Sequence, residues 1–250
     1  MFAAAVTGTF SSALAWQGQH PVTTPPVLCT EKIMDFDLAI FWEAVPSLLK
    51  GMLVTAQIAL LSALLGFALG IGGGLARVSS RFYLAVPALC YVALMRATPV
   101  LVTLLFLYYG LPSAHILLSA MVVGVIALGV TNGAYMSEIL RGGIVSIDPG
   151  QMRAARALGM SYPKAMRRII LPQALRRVLP PITNELISLI KNTSLVSTIA
   201  ISDLLRAGID FMSWKANSFS PFVGVALGYL ILTLPLVAIN AWLEKRYRMH

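Results

Sequence analysis

The sequence predicts an all-α integral membrane protein with five transmembrane helices. Three observations carry that prediction. Hydrophobic residues make up 58% of the 250 positions and charged residues only 12%, with a mean hydropathy of +0.79, whereas roughly a quarter of a soluble domain is charged. Five apolar stretches each reach the ~20 residues that a helix needs to cross a bilayer, a length that excludes barrel strands. Finally, the positive charge, formally +9 in all, gathers on one side if the stretches alternate in direction.

The first thirty-odd residues, MFAAAVTGTFSSALAWQGQHPVTTPPVLCTEKI, have no basic start and only a weak apolar core. Ala13–Ala15 resembles a signal cleavage site without the rest of a signal peptide. Residues 1–34 are expected to be a disordered leader or a consequence of start-site choice, since Met34 opens a more natural N-terminus. Residues 35–250 are expected to form a single membrane domain. Its spans run at about Leu48–Leu75, Leu84–Tyr109, Ile116–Ile139, Val178–Ile201 and Phe219–Leu243. The first carries Gly66, Gly70 and Gly74 at four-residue spacing, a small-residue face that lets another helix approach closely.

Orientation follows from the loops. Arg77 and Arg81 follow span 1, and Arg141, Arg153, Arg156, Lys164, Arg167, Arg168, Arg176 and Arg177 follow span 3. With Lys245, Arg246 and Arg248 in the tail, thirteen of the nineteen Lys and Arg share one side. The other side keeps Lys32, Lys50, Arg206 and Lys215, diluted by six acids. The basic side is cytoplasmic by the positive-inside rule, which puts the N-terminus outside and the C-terminus inside. This distribution accounts for the charge without nucleic acid.

Between spans 3 and 4 the chain builds a module at about 148–172. Asp148-Pro149-Gly150 is a turn, and the run Gln151–Leu158 favours helix and stops at Gly159, a C′ position. Ser161 is placed to cap a second helix with Pro163 in its first turn, and Pro172 is expected to break that helix. Ala154, Ala155 and Ala157 leave room for a close approach.

Ionisable groups inside spans are functional candidates by default. Arg96 lies in span 2, Glu138 near the end of span 3, and Glu185 and Lys191 in span 4. Glu185, Ser188 and Asn192 fall within about 60° of one another around a helix turning ~100° per residue, a polar stripe on an apolar span. Asn132 and Tyr135 form a smaller stripe on span 3. Two readings stay open: the stripe faces an aqueous pathway with Thr98 and Asn132 opposite, or Glu185 pairs with Arg96 and holds the bundle together. Glu138 is most simply an interfacial salt bridge to Arg141.

Enzyme chemistry finds little support. No phosphate-binding G-x-x-x-x-G-K-[ST] loop, H-E-x-x-H or G-x-S-x-G is present. Cys29 and Cys90 sit in different settings and His20, His115 and His250 are scattered, so neither a disulfide nor a metal site is expected.

From Arg153, RAARALGMSYPKAMRRIILP resembles the E-A-A-x3-G-x9-I-x-L-P loop of the membrane subunits of bacterial ABC importers. Ala154, Ala155, Gly159, Ile169, Leu171 and Pro172 are in register with it, and Arg153 stands where Glu is usual. The similarity is closest to the polar amino acid branch, through RATPVLVTLLFLYYGLP (96–112), GAYMSEILRGGIVSIDPGQ (133–151), LPQALRRVLPPITNELISLIKNTSLVSTI (171–199) and LLRAG (204–208). Members of that branch often have Asp at the position of Asn192. The resemblance implies the type I ABC importer permease fold, with the 148–172 loop as a coupling helix seated in a cytoplasmic ATPase subunit. It implies a periplasmic amino-acid-binding protein, a second permease as homodimer or heterodimer partner, residence in the inner membrane, no cofactor, and ATP hydrolysis by a separate subunit. The alternatives are a secondary carrier, against which the lack of an internal repeat argues, and a membrane enzyme. ATP-dependent uptake by the assembled complex discriminates them.

Overall fold

The computed structural model describes residues 36–79, 81–217 and 219–247, and every regular element among them is helical. The expected leader and Arg248 lie outside the described residues. In chain order the elements are α1 (Leu38–Val78), α2 (Phe82–Ala97), α3 (Val100–Ser113), α4 (Ala120–Val145), α5 (Pro149–Ala157), α6 (Tyr162–Ala165), α7 (Leu171–Asn192), α8 (Leu204–Lys215) and α9 (Phe219–Tyr247).

Helix α1 begins ten residues before the expected span, because the Asp37 carboxylate caps it by accepting from the N–H groups of Ala39 and Ile40. Its glycine face lies on α4: a Cβ on Gly70 would strike Met136, and one on Gly66 would strike Asn132. Backbones can approach this closely only where side chains are absent. The stripe is packing, and it sets the register of α1 against α4.

The second apolar stretch is not one straight span. Helices α2 and α3 meet at 104°. Pro99 forces Thr98 into extended geometry (φ −99, ψ 130), and the Thr98 N–H and hydroxyl both turn back to the Leu94 carbonyl.

By length and composition α1, α4 and α9 suffice to cross a membrane, and the bent α2–α3 pair counts as a fourth. The expected fourth span is different in kind. Helix α7 carries Arg176, Arg177, Glu185 and Lys191 and is too polar to pass the same test. It buries Ala174, Val178, Thr183, Ile187 and Leu189. At Asn192 it tightens into a 3₁₀ turn (Thr193–Ile199) that ends at Ala200 with φ 60. The main core, around Ile58, Leu104, Leu128, Leu189 and Val196, joins α1, α3, α4 and α7 to this turn.

The helix expected to break at Pro172 instead runs on. Between α6 and α7 the chain widens into a π turn over Met166–Ile170, where the Leu171 N–H reaches back to the Met166 carbonyl. Pro172 then falls in the first turn of α7, where its missing N–H has no bond to lose. Ser161 occupies the cap position of α6 but its hydroxyl makes no capping bond. Helix α5 ends as expected. The N–H of Gly159 bonds to Arg156 O (3.0 Å) and that of Met160 to Ala155 O (3.1 Å), with Gly159 at φ +78, a Schellman close.

At the opposite end, Asp203 is fully buried and caps α8 through the N–H groups of Leu205 and Arg206. Burial pushes its carboxyl up from the ordinary range, and these N–H bonds oppose the shift. The Leu204 N–H donates to Thr55 on α1 (3.0 Å), and Lys215 pairs with Glu43 (2.8 Å), fastening α8 to α1.

Candidate functional site

The glycine seam between α1 and α4 positions Asn132. It is 2% exposed, and its Nδ2 donates to Glu185 Oε1 on α7 at 3.0 Å. Asn132 Oδ1 is buried, and no donor among the described residues reaches it. Glu185 is half-buried, and no Arg or Lys among the described residues lies within salt-bridge range of it. The pair therefore presents acceptor oxygens and lacks a cation, an arrangement that favours an ammonium donor.

The other expected pathway residues, and Lys191 beside them in sequence, differ in exposure. Ser188 is exposed, and its hydroxyl turns back to the Asn184 carbonyl (3.1 Å). Asn192 is half-buried where α7 passes into the 3₁₀ turn. Thr98 stands at the α2–α3 bend with its hydroxyl engaged. Lys191 is exposed.

Arg96 does not pair with Glu185. It lies over the Tyr135 ring, 5.7 Å from the centroid, and its Nη1 is 3.7 Å from Glu138 Oε2. Glu138 is not a simple two-residue bridge to Arg141 (2.5 Å), because Arg77 at the end of α1 also binds it. Three guanidinium groups thus gather about one carboxylate, and Arg96, with 45% of its side chain exposed, is the most open of them. Sequence reasoning placed Arg77 only in the connection after span 1. Gly74 faces Leu140, and from the next turn of α1 the Arg77 side chain reaches back to Glu138.

In the 148–172 module the residues divide by face. Arg153, Ala154 and Gly159 are exposed, whereas Ala155 is 2% exposed and turned into the chain's own packing. Ala155 is therefore unavailable to a docked partner, contrary to the close approach expected of it. Ile169 is half-buried against the small core of Ile147, Ile170 and Ala174. Leu171 and Pro172 line an apolar groove of about 490 Å³ with Ile71, Leu75, Leu140 and Ile144. Lys164, Arg167 and Arg168 line a separate polar recess. Among the described residues no group of three or more His, Cys, Asp or Glu is placed to hold a metal.

Residues 66–249 match the family described as "Binding-protein-dependent transport system inner membrane component". The chain is 35% identical over 218 residues to the glutamine transport system permease protein GlnP of Escherichia coli (strain K12), covering 86% of this chain and all of that one. It is 34% identical over 216 residues to the arginine transport system permease protein ArtQ of Bacillus subtilis (strain 168), with 86% and 99% coverage. A solved structure described as an amino acid ABC transporter with histidines superposes with a TM-score of 0.80 at 34% identity, over 85% of this chain and all of that one. The MetNI methionine ABC transporter shares the fold at TM-score 0.69 and 17% identity, covering 85% and 99%. With its seam, its bent second stretch and its polar α7, the chain belongs to the family of binding-protein-dependent transport system inner membrane components.

Proposed function

We propose that this chain is the permease subunit of an ATP-driven importer of polar amino acids, and that Glu185, held by Asn132, receives the substrate ammonium. The observation that carries the proposal is a carboxylate with no cation beside it, on a helix too polar to be an ordinary span. Relatives named for glutamine and arginine transport support the substrate class. All amino acids share the α-ammonium, so this acid serves substrates that differ in side chain. Arg96, over the Tyr135 ring and 3.7 Å from Glu138, is open enough to turn to the α-carboxylate. Thr98, Ser188 and Asn192 line the remainder of the path.

In this reading α7 completes five spans, the N-terminus is periplasmic and the C-terminus cytoplasmic. Helix α5 is the coupling helix, its exposed face of Arg153 and Ala154 meeting a separate ATPase subunit, with Gly159 as the hinge. Ile169, Leu171 and Pro172 back it from the membrane side. Arg153 supplies a cation where a carboxylate is usual, so either the ATPase offers a matching acidic group or the position is tolerant. A binding protein delivers substrate from outside, and a second permease completes the path. The test is uptake by proteoliposomes carrying the complex, its binding protein and a panel of labelled amino acids. Glu185→Ala should impair every substrate; an inert Glu185→Ala change would overturn the assignment.

A further inference from the structure

We propose that Gln151 and Gln173 are positioning residues that join α5 to α7 as one lever, so that a displacement of α5 reaches Glu185. The proposal rests on α5 being the helix that a cytoplasmic ATPase moves.

The two side-chain amides face each other across 22 residues of sequence. Gln151 Nε2 donates to Gln173 Oε1 at 3.1 Å, and Gln173 Nε2 donates in return to Gln151 Oε1. Gln173 Nε2 also donates to the Ile169 carbonyl (2.9 Å) in the π turn. Both donors of the Gln173 amide are thereby used. Two antiparallel bonds between planar groups fix direction as well as distance, which apolar contact alone does not. Met152, Met166 and Ile169 pack on Ile147, Ile170 and Ala174 beside the pair.

A second tie acts on the same face of α7. Arg177, one turn beyond Gln173, donates to the carbonyl and the hydroxyl of Ser146, just before α5. Helix α7 is therefore tied to the start of α5 through Gln173 and to the end of α4 just before it through Arg177, while the other end of α5 closes on the positive-φ hinge at Gly159. A push on the exposed face of α5 pivots at Gly159 and is delivered through Gln151. From Gln173 to Glu185 the path stays helical, about 18 Å at 1.5 Å per residue, with Pro180 and Pro181 removing two backbone hydrogen bonds midway.

The experiment uses the complete complex, permease with its ATPase subunits, in proteoliposomes, reading uptake per ATP hydrolysed. Gln151→Ala and Gln173→Ala should each retain the ATPase on co-purification and keep basal hydrolysis, while uptake per ATP falls about fivefold or more, the lower range of coupling between sites. The pair Gln151→Glu with Gln173→Lys, which rebuilds the contact as an ion pair, should restore it. Gln151→Cys with Gln173→Cys, oxidised to a disulfide, should retain the parental ratio and keeps the test open should an alanine variant not fold. Unchanged uptake per ATP in both alanine variants, or its loss on forming the disulfide, overturns the joint. Ala154→Arg, on the exposed face, separates the two ideas. It should shed the ATPase, and full ATPase retention and coupling in that variant would overturn the role of α5 while leaving the amide pair in place.

Discussion

Glu185 and Arg96 show how differently two charges in the same apolar setting are handled. Glu185 rests on one neutral amide, so a substrate ammonium is the missing half of an ion pair. Hydrogen bonds to charged groups are worth about 1.5–3 kcal/mol, so Glu185→Ala should lower uptake roughly 10- to 150-fold for all substrates. A cationic side chain has no second anion on the stripe, since position 192 is Asn. Leaving such a charge unpaired in a dry site costs at least several kcal/mol. Neutral and acidic polar amino acids should therefore compete better than arginine or lysine in uptake assays, and Asn192→Asp should move the preference towards cations. Glu138 is the reverse case, since its removal leaves Arg77, Arg96 and Arg141 facing one another. Glu138→Ala should lower the melting temperature of the detergent-solubilised protein far more than Arg96→Ala, whose side chain is 45% exposed. The sequence identified Glu185 and Asn132 separately, through periodicity. It could not pair Arg96 with Glu138, because the α2–α3 bend decides where that guanidinium points.

The helices were legible where one local signal dominated. Gly159 closes α5 as expected, whereas Asp148-Pro149-Gly150, expected as a turn, forms the cap and first residues of the helix, with the Asp148 carboxylate accepting from Gly150 N–H at 2.7 Å. Pro172 misled because a proline breaks a helix only where its N–H is needed, and the π turn before it relocates the start of α7. That turn has no sequence period of its own. Gly159→Val is expected to uncouple hydrolysis from transport, or to prevent ATPase assembly, because a β-branched side chain is strained at φ +78. Comparing substrate-stimulated ATPase activity with uptake in that variant checks it, and unimpaired coupling would count against the hinge. Gly70→Val acts elsewhere, forcing α1 off Met136. It should reduce the amount of folded permease recovered from membranes, since overpacking costs about 1–3 kcal/mol even where neighbours shift.

Across the whole molecule, charge and aromatic side chains are arranged as a membrane would sort them. Trp42 and Trp214 are 63% and 70% exposed at the end that carries Asp37, Glu43 and Asp210, and Trp242, 60% exposed, precedes Lys245 and Arg246 at the other. Tryptophans collect at both membrane surfaces, and basic residues collect inside. A cysteine introduced at Lys164 or Lys245 should react only with reagents that enter the cytoplasm, and one at Lys215 should react from outside intact cells. Labelling of position 164 from the outer face would reverse the topology. The 104° bend was not legible in the sequence, since it is a matter of where the rest of the bundle leaves room.

That bend has a consequence for the company the chain keeps. Where α2 stops at Ala97, the last carbonyls of a helix lose their intrahelical partners, and Arg96 stands exposed beside them. Acyl chains offer such groups nothing, and irregular backbone at this depth persists only against protein or water. A solitary copy in a bilayer would have to hold a wet seam open along this face; an apposed subunit would close it. A second permease, as proposed above, would cover this face on assembly. Backbone amides from Met95 to Leu101 should exchange with deuterium faster in the lone permease than in the assembled transporter, and equal rates would show that the bend is sheltered within a single chain.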